Sequence, residues 1–351
     1  MNRSSHSAPK ELSIHLAASV LLISATFAWS NHLPETLFLS GLLVLLPVAT
    51  HLSRYSQSKS PDQTIERLRK KLHKTLWLCS VAAGVSTFPE RGPLSGAIAA
   101  CWLVWTLAAA LVSATQFLKT GPRSLRRFAT VITTGYLSVS AAWFTCWRVG
   151  FNPLDFPGGI TLLTSVHFLY AGFLLPTVAL GILPDRLNRR QQFMMFGMLT
   201  MMPVVAVGIT CSPTIELAGV FLAVAVIVTL CVEQLKLAAA QNTPALARDL
   251  LSIAAVSGLS AVSLAAYYGL SEFTGNTWIL IPTMIRWHGI LNSVGLIGCT
   301  LGAWAAITYR PARSALQSAT EEVRDRPLTD SSPSNFLAYR ESYASKDSRS
   351  R

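Results

Sequence analysis

The chain has 351 residues, 51% of them hydrophobic and only 13% charged, with a mean hydropathy of +0.43; an ordinary soluble domain carries about 25% charged residues. That balance excludes a soluble globular protein and points to a lipid-embedded one, because the repeated uncharged runs match a hydrocarbon layer about 30 Å thick. The net charge of +12 does not make nucleic acid a partner, since the basic residues sit in short segments between apolar runs and no stripe combines them with exposed aromatics.

Taken in chain order, apolar runs between polar breaks predict ten membrane helices, near 12–30, 34–52, 75–90, 94–118, 128–147, 158–181, 192–210, 214–235, 249–270 and 278–308. The fold class is therefore an all-α polytopic bundle, with residues 1–310 as the membrane domain. The first run follows Lys10, lacks a convincing cleavage site and is closely followed by another span, so it reads as a retained anchor. Between the second and third runs, Ile65-Glu-Arg-Leu-Arg-Lys-Lys-Leu-His73 has apolar residues at helical spacing and a basic face. An ordinary positive-inside loop over 53–74 is preferred to a surface helix on the inner leaflet. Residues 311–351 are rich in Ser, Arg, Asp and Glu and read as a flexible cytoplasmic tail, with room for a short helix from Ala315 to Val323.

All but three of the 29 Lys and Arg residues fall on one side of this layout, which places both termini in the cytoplasm. Arg91 and Arg148 lie on the outer side, with Glu35, Glu90, Asp155, Glu216 and Glu272, and Arg286 lies inside the last span. Trp29, Trp147 and Trp278 fall near outer interfaces and Trp77 near an inner one, as interfacial anchors do. The six cysteines form no Cys-x-x-Cys pair and read as small buried apolar residues.

Two histidines interrupt this apolar background. His167 lies nine residues into the sixth span and His288 ten residues into the tenth, about 13–15 Å deep from the same side at 1.5 Å per residue. Ionisable groups at that depth mark sites or pathways more often than not. Thr164 and Tyr170 stand three residues either side of His167, and Asn292 stands four after His288, so each ring has hydrogen-bonding company at helical spacing. Arg286 projects from another face and must find a partner, line water or bend toward the interface. Gly172, Pro176 and Pro282 allow both helices to open locally. An alternative start of the tenth helix at Pro282 brings His288 nearer the outer interface.

Three blocks carry a family resemblance. Ala142-Trp-Phe-Thr-Cys-Trp-Arg-Val-Gly150, Leu163-Thr-Ser-Val-His-Phe-Leu-Tyr-Ala-Gly-Phe173 and Trp278-Ile-Leu-Ile-Pro-Thr-Met-Ile-Arg-Trp-His-Gly-Ile-Leu-Asn-Ser-Val-Gly295 resemble, in order and spacing, the hallmark blocks of the YndJ-like family of bacterial membrane proteins. The likeness runs from about 141 to 304. The family block resembles His-Phe-His-Tyr-Ala-Gly-Phe, so His167 matches its first histidine while Leu169 replaces its second; His288 and Asn292 match its His-Gly-x-x-Asn. The resemblance implies a multi-span membrane protein sometimes described as a transporter.

The leading functional expectation is a carrier of a small solute or ion, with His167, Tyr170, Thr164, Arg286, His288 and Asn292 as the intramembrane polar site. The first alternative is a membrane enzyme acting on a lipid or quinone, or a protein binding haem or a metal through His167 and His288. No nucleophile motif, His-Glu-x-x-His or phosphate-binding glycine loop accompanies them, so no cofactor is expected and an enzyme is the less favoured reading. A membrane scaffold or sensor is the further alternative. Besides the bilayer, the expected partner is the solute itself; substrate and oligomeric state stay open.

Overall fold

Helix starts in this chain are written in its polar punctuation. The Asp62 carboxylate accepts the backbone N–H groups of Thr64 and Ile65, Ser124 accepts that of Arg127, and Asn188 and Gln191 cap each other's backbone, satisfying donors that the first turn leaves without partners. Pro93, Pro213 and Pro282 occupy first-turn positions where the missing N–H costs nothing. The computed structural model describes residues 33–56, 62–121 and 124–309, all of them within one unit, His6–Tyr309.

Among the described residues there are nine long helices and no strand. They are α1 (33–56), α2 (Gln63–Val85), α3 (Pro93–Thr120), α4 (Leu125–Val149), α5 (Gly158–Ile182), α6 (Arg189–Cys211), α7 (Pro213–Ala239), α8 (Ala245–Phe273) and α9 (Ile281–Thr308). Seven are long and apolar enough to cross a membrane, α2 and α4 being the exceptions. The basic run of α2 and the hydroxyl-rich face of α4 lower their hydropathy.

Three features differ from the sequence expectations. The basic segment 63–74 is neither a loop nor a separate surface helix: it forms the first three turns of α2, which runs unbroken to Val85. The last helix begins at Ile281 and not at 278, because Leu280 is extended and Pro282 starts the helix. Trp147 is not a lipid-facing anchor, being only 6% exposed, with the Arg148 and Arg91 guanidinium carbons 4.9 and 5.9 Å from its ring centroid. Trp278 is exposed and packs on Tyr267, as an interfacial ring would. The run 12–30, Trp29, the tail 311–351 and Ala315–Val323 lie outside the described residues.

The packing is that of a protein whose solvent is lipid. Val104, Leu111 and Leu118 of α3 point outward, while hydroxyls and amides are buried between helices. Ser140 Oγ donates to Ser165 O at 2.7 Å and Ser165 Oγ returns the bond to Ser140 O at 2.8 Å, riveting α4 to α5. Gln234 Nε2 donates to Thr300 Oγ1 at 2.8 Å, joining α7 to α9. Such bonds contribute about 1 kcal/mol each in an apolar surround. Aromatic packing adds Phe38 stacked on Phe144 at 4.2 Å and edge-on to Trp102 at 5.6 Å.

The helix ends pair off by charge. Lys119 at the end of α3 meets Asp62 at the start of α2 at 2.6 Å. Arg190 and Gln191 of α6 both donate to the buried Glu233 of α7. Arg126 at the start of α4 reaches the carbonyls of Leu180, Leu183 and Pro184 at 2.6–3.0 Å, closing the end of α5. These contacts gather the basic ends of successive helices together, while α3 and α4 meet at their opposite ends, where Arg148 O accepts from Gly92 N and Ser95 Oγ, each at 2.8 Å.

Candidate functional site

Three of the nine helices change winding part-way. In α1 the backbone is π-helical over Gly41–Leu45, in α5 over Phe168–Leu174 and in α9 over Leu291–Gly298. Long π segments are rare, and where they occur they concentrate at functional sites. Here the α5 segment packs against both of the others. Glycine allows the approach: a Cβ on Gly41 would stand 2.8 Å from the Leu169 and Tyr170 side chains, and one on Gly289 would stand 2.7 Å from Leu37.

His167 immediately precedes the π segment of α5 and His288 lies three residues before that of α9. Each ring is fixed by a backbone carbonyl. His167 Nδ1 bonds Leu163 O at 2.8 Å within its own helix, and His288 Nδ1 bonds Ala261 O of α8 at 2.9 Å. A carbonyl can only accept, so a neutral ring must carry its proton on Nδ1 and leave a lone pair on Nε2. That is the form able to accept a proton, a ligand hydrogen bond or a metal ion. His167 is exposed and His288 half-buried.

The other four candidates do not converge on these rings through hydrogen bonds. Asn292 Nδ2 donates to His288 O at 2.8 Å, covering a carbonyl at the entrance to the π segment. Thr164 Oγ1 is spent on Ile160 O of its own helix. Tyr170 turns away from His167 into the core, donating to Leu37 O at 2.8 Å and meeting Ser40 Oγ at 2.9 Å. Arg286 is exposed, in the second turn of α9, and makes no ion pair among the described residues. Nor do the described residues contain a group of three or more His, Cys, Asp or Glu side chains able to hold a metal ion.

On the basic side of the π segments lies a cavity of about 500 Å³, within the usual range for small-molecule sites. It is walled by α1 to α5 with Trp304 of α9, and it reaches Phe173 inside the α5 π segment. Its lining holds the guanidiniums of Arg54, Arg69, Arg126 and Arg127 and the imidazole of His73; Asp185 is the one carboxylate in it. The same lining includes the apolar side chains of Leu76, Trp105, Leu137, Phe173 and Trp304. Burial pulls the Arg69 and Arg126 guanidiniums below their ordinary range. It pushes His73 down to about 4, with Arg54 and His51 adding to the effect.

Sequence reasoning did not find this cavity, although part of its signature is readable. Arg126 and Arg127 are followed by Thr130, Thr133 and Thr134 on one helical face. The hydroxyls donate back to their own helix at 2.9–3.1 Å, so the cations are the groups left to meet an anion. Glu233, buried against Arg190 and Gln191, is a second polar centre that the apolar run of α7 concealed.

Comparison with known proteins gives these features a family. A family model described as YndJ-like protein matches residues 36–296, from the first turns of α1 into the π segment of α9. The chain belongs to the YndJ-like family. The match reaches well before residue 141, so the first half of the YndJ-like chain is as much part of the family as the three hallmark blocks. It is also similar to a protein of Bacillus subtilis (strain 168) named "Uncharacterized membrane protein YndJ", with 25% identity over 221 residues. That alignment takes in 62% of this chain and 39% of the relative, so the chain spans well under half of the relative's length. No solved structure matches it. The YndJ-like chain is thus a membrane protein with multiple apolar helices.

Proposed function

We propose that this YndJ-like protein is a carrier of a small solute or ion in the bacterial inner membrane, with about ten spans and both termini cytoplasmic. The observation that supports the reading is the alignment of its two polar regions. A cavity lined by the inner halves of α1 and α5 ends at the π segment of α5, and His167 and His288 stand at the outer edges of the α5 and α9 segments. A change of winding between an inner cavity and an outer polar pair gives the two halves of each helix a place to move against each other, as alternating access requires. His167, His288 and Asn292 would form the outer part of the path, with Nε2 of each ring receiving a proton or a hydrogen bond. Arg286 would attract an anion to the mouth. Thr164 and Tyr170 would hold the helices that frame it.

The test is access from each side. In a chain freed of native cysteines, Thr177→Cys lines the cavity and Arg286→Cys stands beyond the π segments. An impermeant maleimide applied to oriented vesicles is expected to reach Thr177→Cys from the cytoplasmic face and, more slowly, from the other. Labelling of Thr177→Cys from one face only, unchanged when inner and outer solutes are varied, would sink the carrier.

A second reading has one specific observation behind it. Both Nδ1 atoms donate to carbonyls, which is how metal-ligating imidazoles are usually oriented. Two such ligands suit haem iron, and an absorbance spectrum of the purified chain with His288→Ala as comparison checks it. A Soret band lost in the variant supports this reading; identical featureless spectra remove haem.

A further inference from the structure

At the end of the bundle opposite the cavity, positive charge gathers where α4 ends and α5 begins. Arg148, the penultimate residue of α4, is only 3% exposed. Its Nη2 donates to Pro89 O, and its Nε is buried without a hydrogen-bond partner. Glu35 attracts this guanidinium and Arg91 repels it, yet neither Arg148 nor Arg91 makes an ion pair among the described residues. Both share the ring of Trp147, at 4.9 and 5.9 Å from its centroid. An aromatic face offsets part of the cost of burying a cation but does not neutralise it.

Arg91 carries this charge to α5. A Cβ on Gly158 would stand 2.8 Å from Arg91 Nη1, so the guanidinium lies against the first residue of that helix. The first turn there is open. Pro157 at the N-cap brings no side-chain acceptor, and the N–H groups of Gly158 and Gly159 find no acceptor among the described residues. A Cβ on Gly159 would meet nothing within 4 Å. A helix start carries positive partial charge and favours anions, so a cation beside it is of the wrong sign and a second, buried cation nearby adds to the repulsion. An anion turns all of these contacts favourable. We infer that a small oxyanion, phosphate in its chemistry, binds at the first turn of α5, held by the N–H groups of Gly158 and Gly159 and by the Arg91 guanidinium, with the buried charge of Arg148 supporting it. The inference takes the proposed carrier as its setting, since α5 also carries His167, and it names the class of solute met at the outer end. Its source is either a free oxyanion or the phosphate of a lipid head group, which share this chemistry.

Binding is measured without flux, so the two ideas fail separately. The full chain, delipidated in dodecyl maltoside, is titrated with sodium phosphate by calorimetry at constant ionic strength. One site per chain is expected, weakened about tenfold in Arg91→Gln, as the loss of one charge-assisted contact implies. Gly158→Ala is expected to weaken it as well, because it keeps every charge and pushes the guanidinium aside; a diffuse positive field would leave that variant unchanged. Arg189→Gln, which removes an exposed charge at the opposite end of the bundle, should bind as the native chain does. Arg91 is exposed, and the atom that Gly158→Ala meets is the tip of a flexible side chain, so both variants keep the fold. Full affinity in both variants would overturn the inference, as would chloride binding as tightly as phosphate. Native mass spectrometry separates the sources: an anionic phospholipid retained by the native chain and lost in Arg91→Gln identifies the bilayer, and phosphate bound without such retention identifies the free ion. Phosphate bound while Thr177→Cys is labelled from one face only keeps the site and removes the carrier. Labelling from both faces with neither phosphate nor lipid bound removes the site and keeps the carrier.

Discussion

Tyr170 exemplifies how single side chains hold this bundle. Its hydroxyl, on a ring 6% exposed, reaches across to Leu37 O and Ser40 Oγ of α1. Tyr170→Phe keeps the ring and removes the bonds, so thermal unfolding in detergent should show a loss of about 1 kcal/mol, the usual net worth of one such bond. Asp62 gives the corresponding electrostatic prediction. The hydrogen bond from Lys119, followed by that from the Ile65 N–H, holds its carboxyl below the ordinary carboxylate range. A depressed pKa contributes stability that is fully present above the unfolded value near 4 and is lost as pH falls through the folded one. The melting temperature of Asp62→Asn should therefore lie below that of the native chain at pH 7, and the two should converge below pH 4. Convergence already at pH 6 would contradict it.

At the scale of elements, much was legible. Nine of the ten expected runs overlap a described helix, because apolar length and capping residues are local signals, but only seven of these helices are long and apolar enough to cross a membrane and α2 begins twelve residues before its expected run. The histidines were legible as isolated ionisable groups, but their neighbours were not. Tyr170 was expected beside His167 on the assumption of α-helical winding, and the wider π winding that begins at Phe168 turns it toward α1 instead. The inner cavity was illegible for a different reason: it is assembled from six helices, and no one of them carries enough of it to stand out. Helix contacts written in glycine are testable at this scale. A Cβ on Gly208 would lie 2.3 Å from the Glu216 backbone and one on Gly172 would lie 2.9 Å from Tyr136 Cβ, whereas Gly135 has nothing within 4 Å. Gly208→Ala should cost about 1–3 kcal/mol or prevent recovery of folded protein, since backbone cannot yield as a side chain can. Gly135→Ala should be neutral or slightly stabilising through helix propensity. Equal melting curves for the two variants would refute the close approach of α6 and α7.

For the whole molecule, the prediction concerns direction. If the basic helix ends face the cytoplasm, reporter domains inserted after Leu187 and Asn242 should be active only as cytoplasmic reporters, and those after Asp155 and Gly275 only as external ones. A reporter at 187 reading external would invert the proposed topology and with it the assignment of the cavity to the inner face.

The three π segments carry one more consequence. In the language of crystals each is a dislocation: regular winding continues on both sides, and the mismatch between them is confined to a few residues. Displacing it by one position exchanges one backbone hydrogen bond for another and leaves their number unchanged, so the backbone itself sets little preference for where the mismatch sits. That preference comes from side chains, from Gly41 against Tyr170 and Gly172 against Tyr136. The seam within α1 and α5 is thus held by packing, and an added methyl at either glycine would meet a neighbouring side chain closer than 3 Å, so that one of the two has to give.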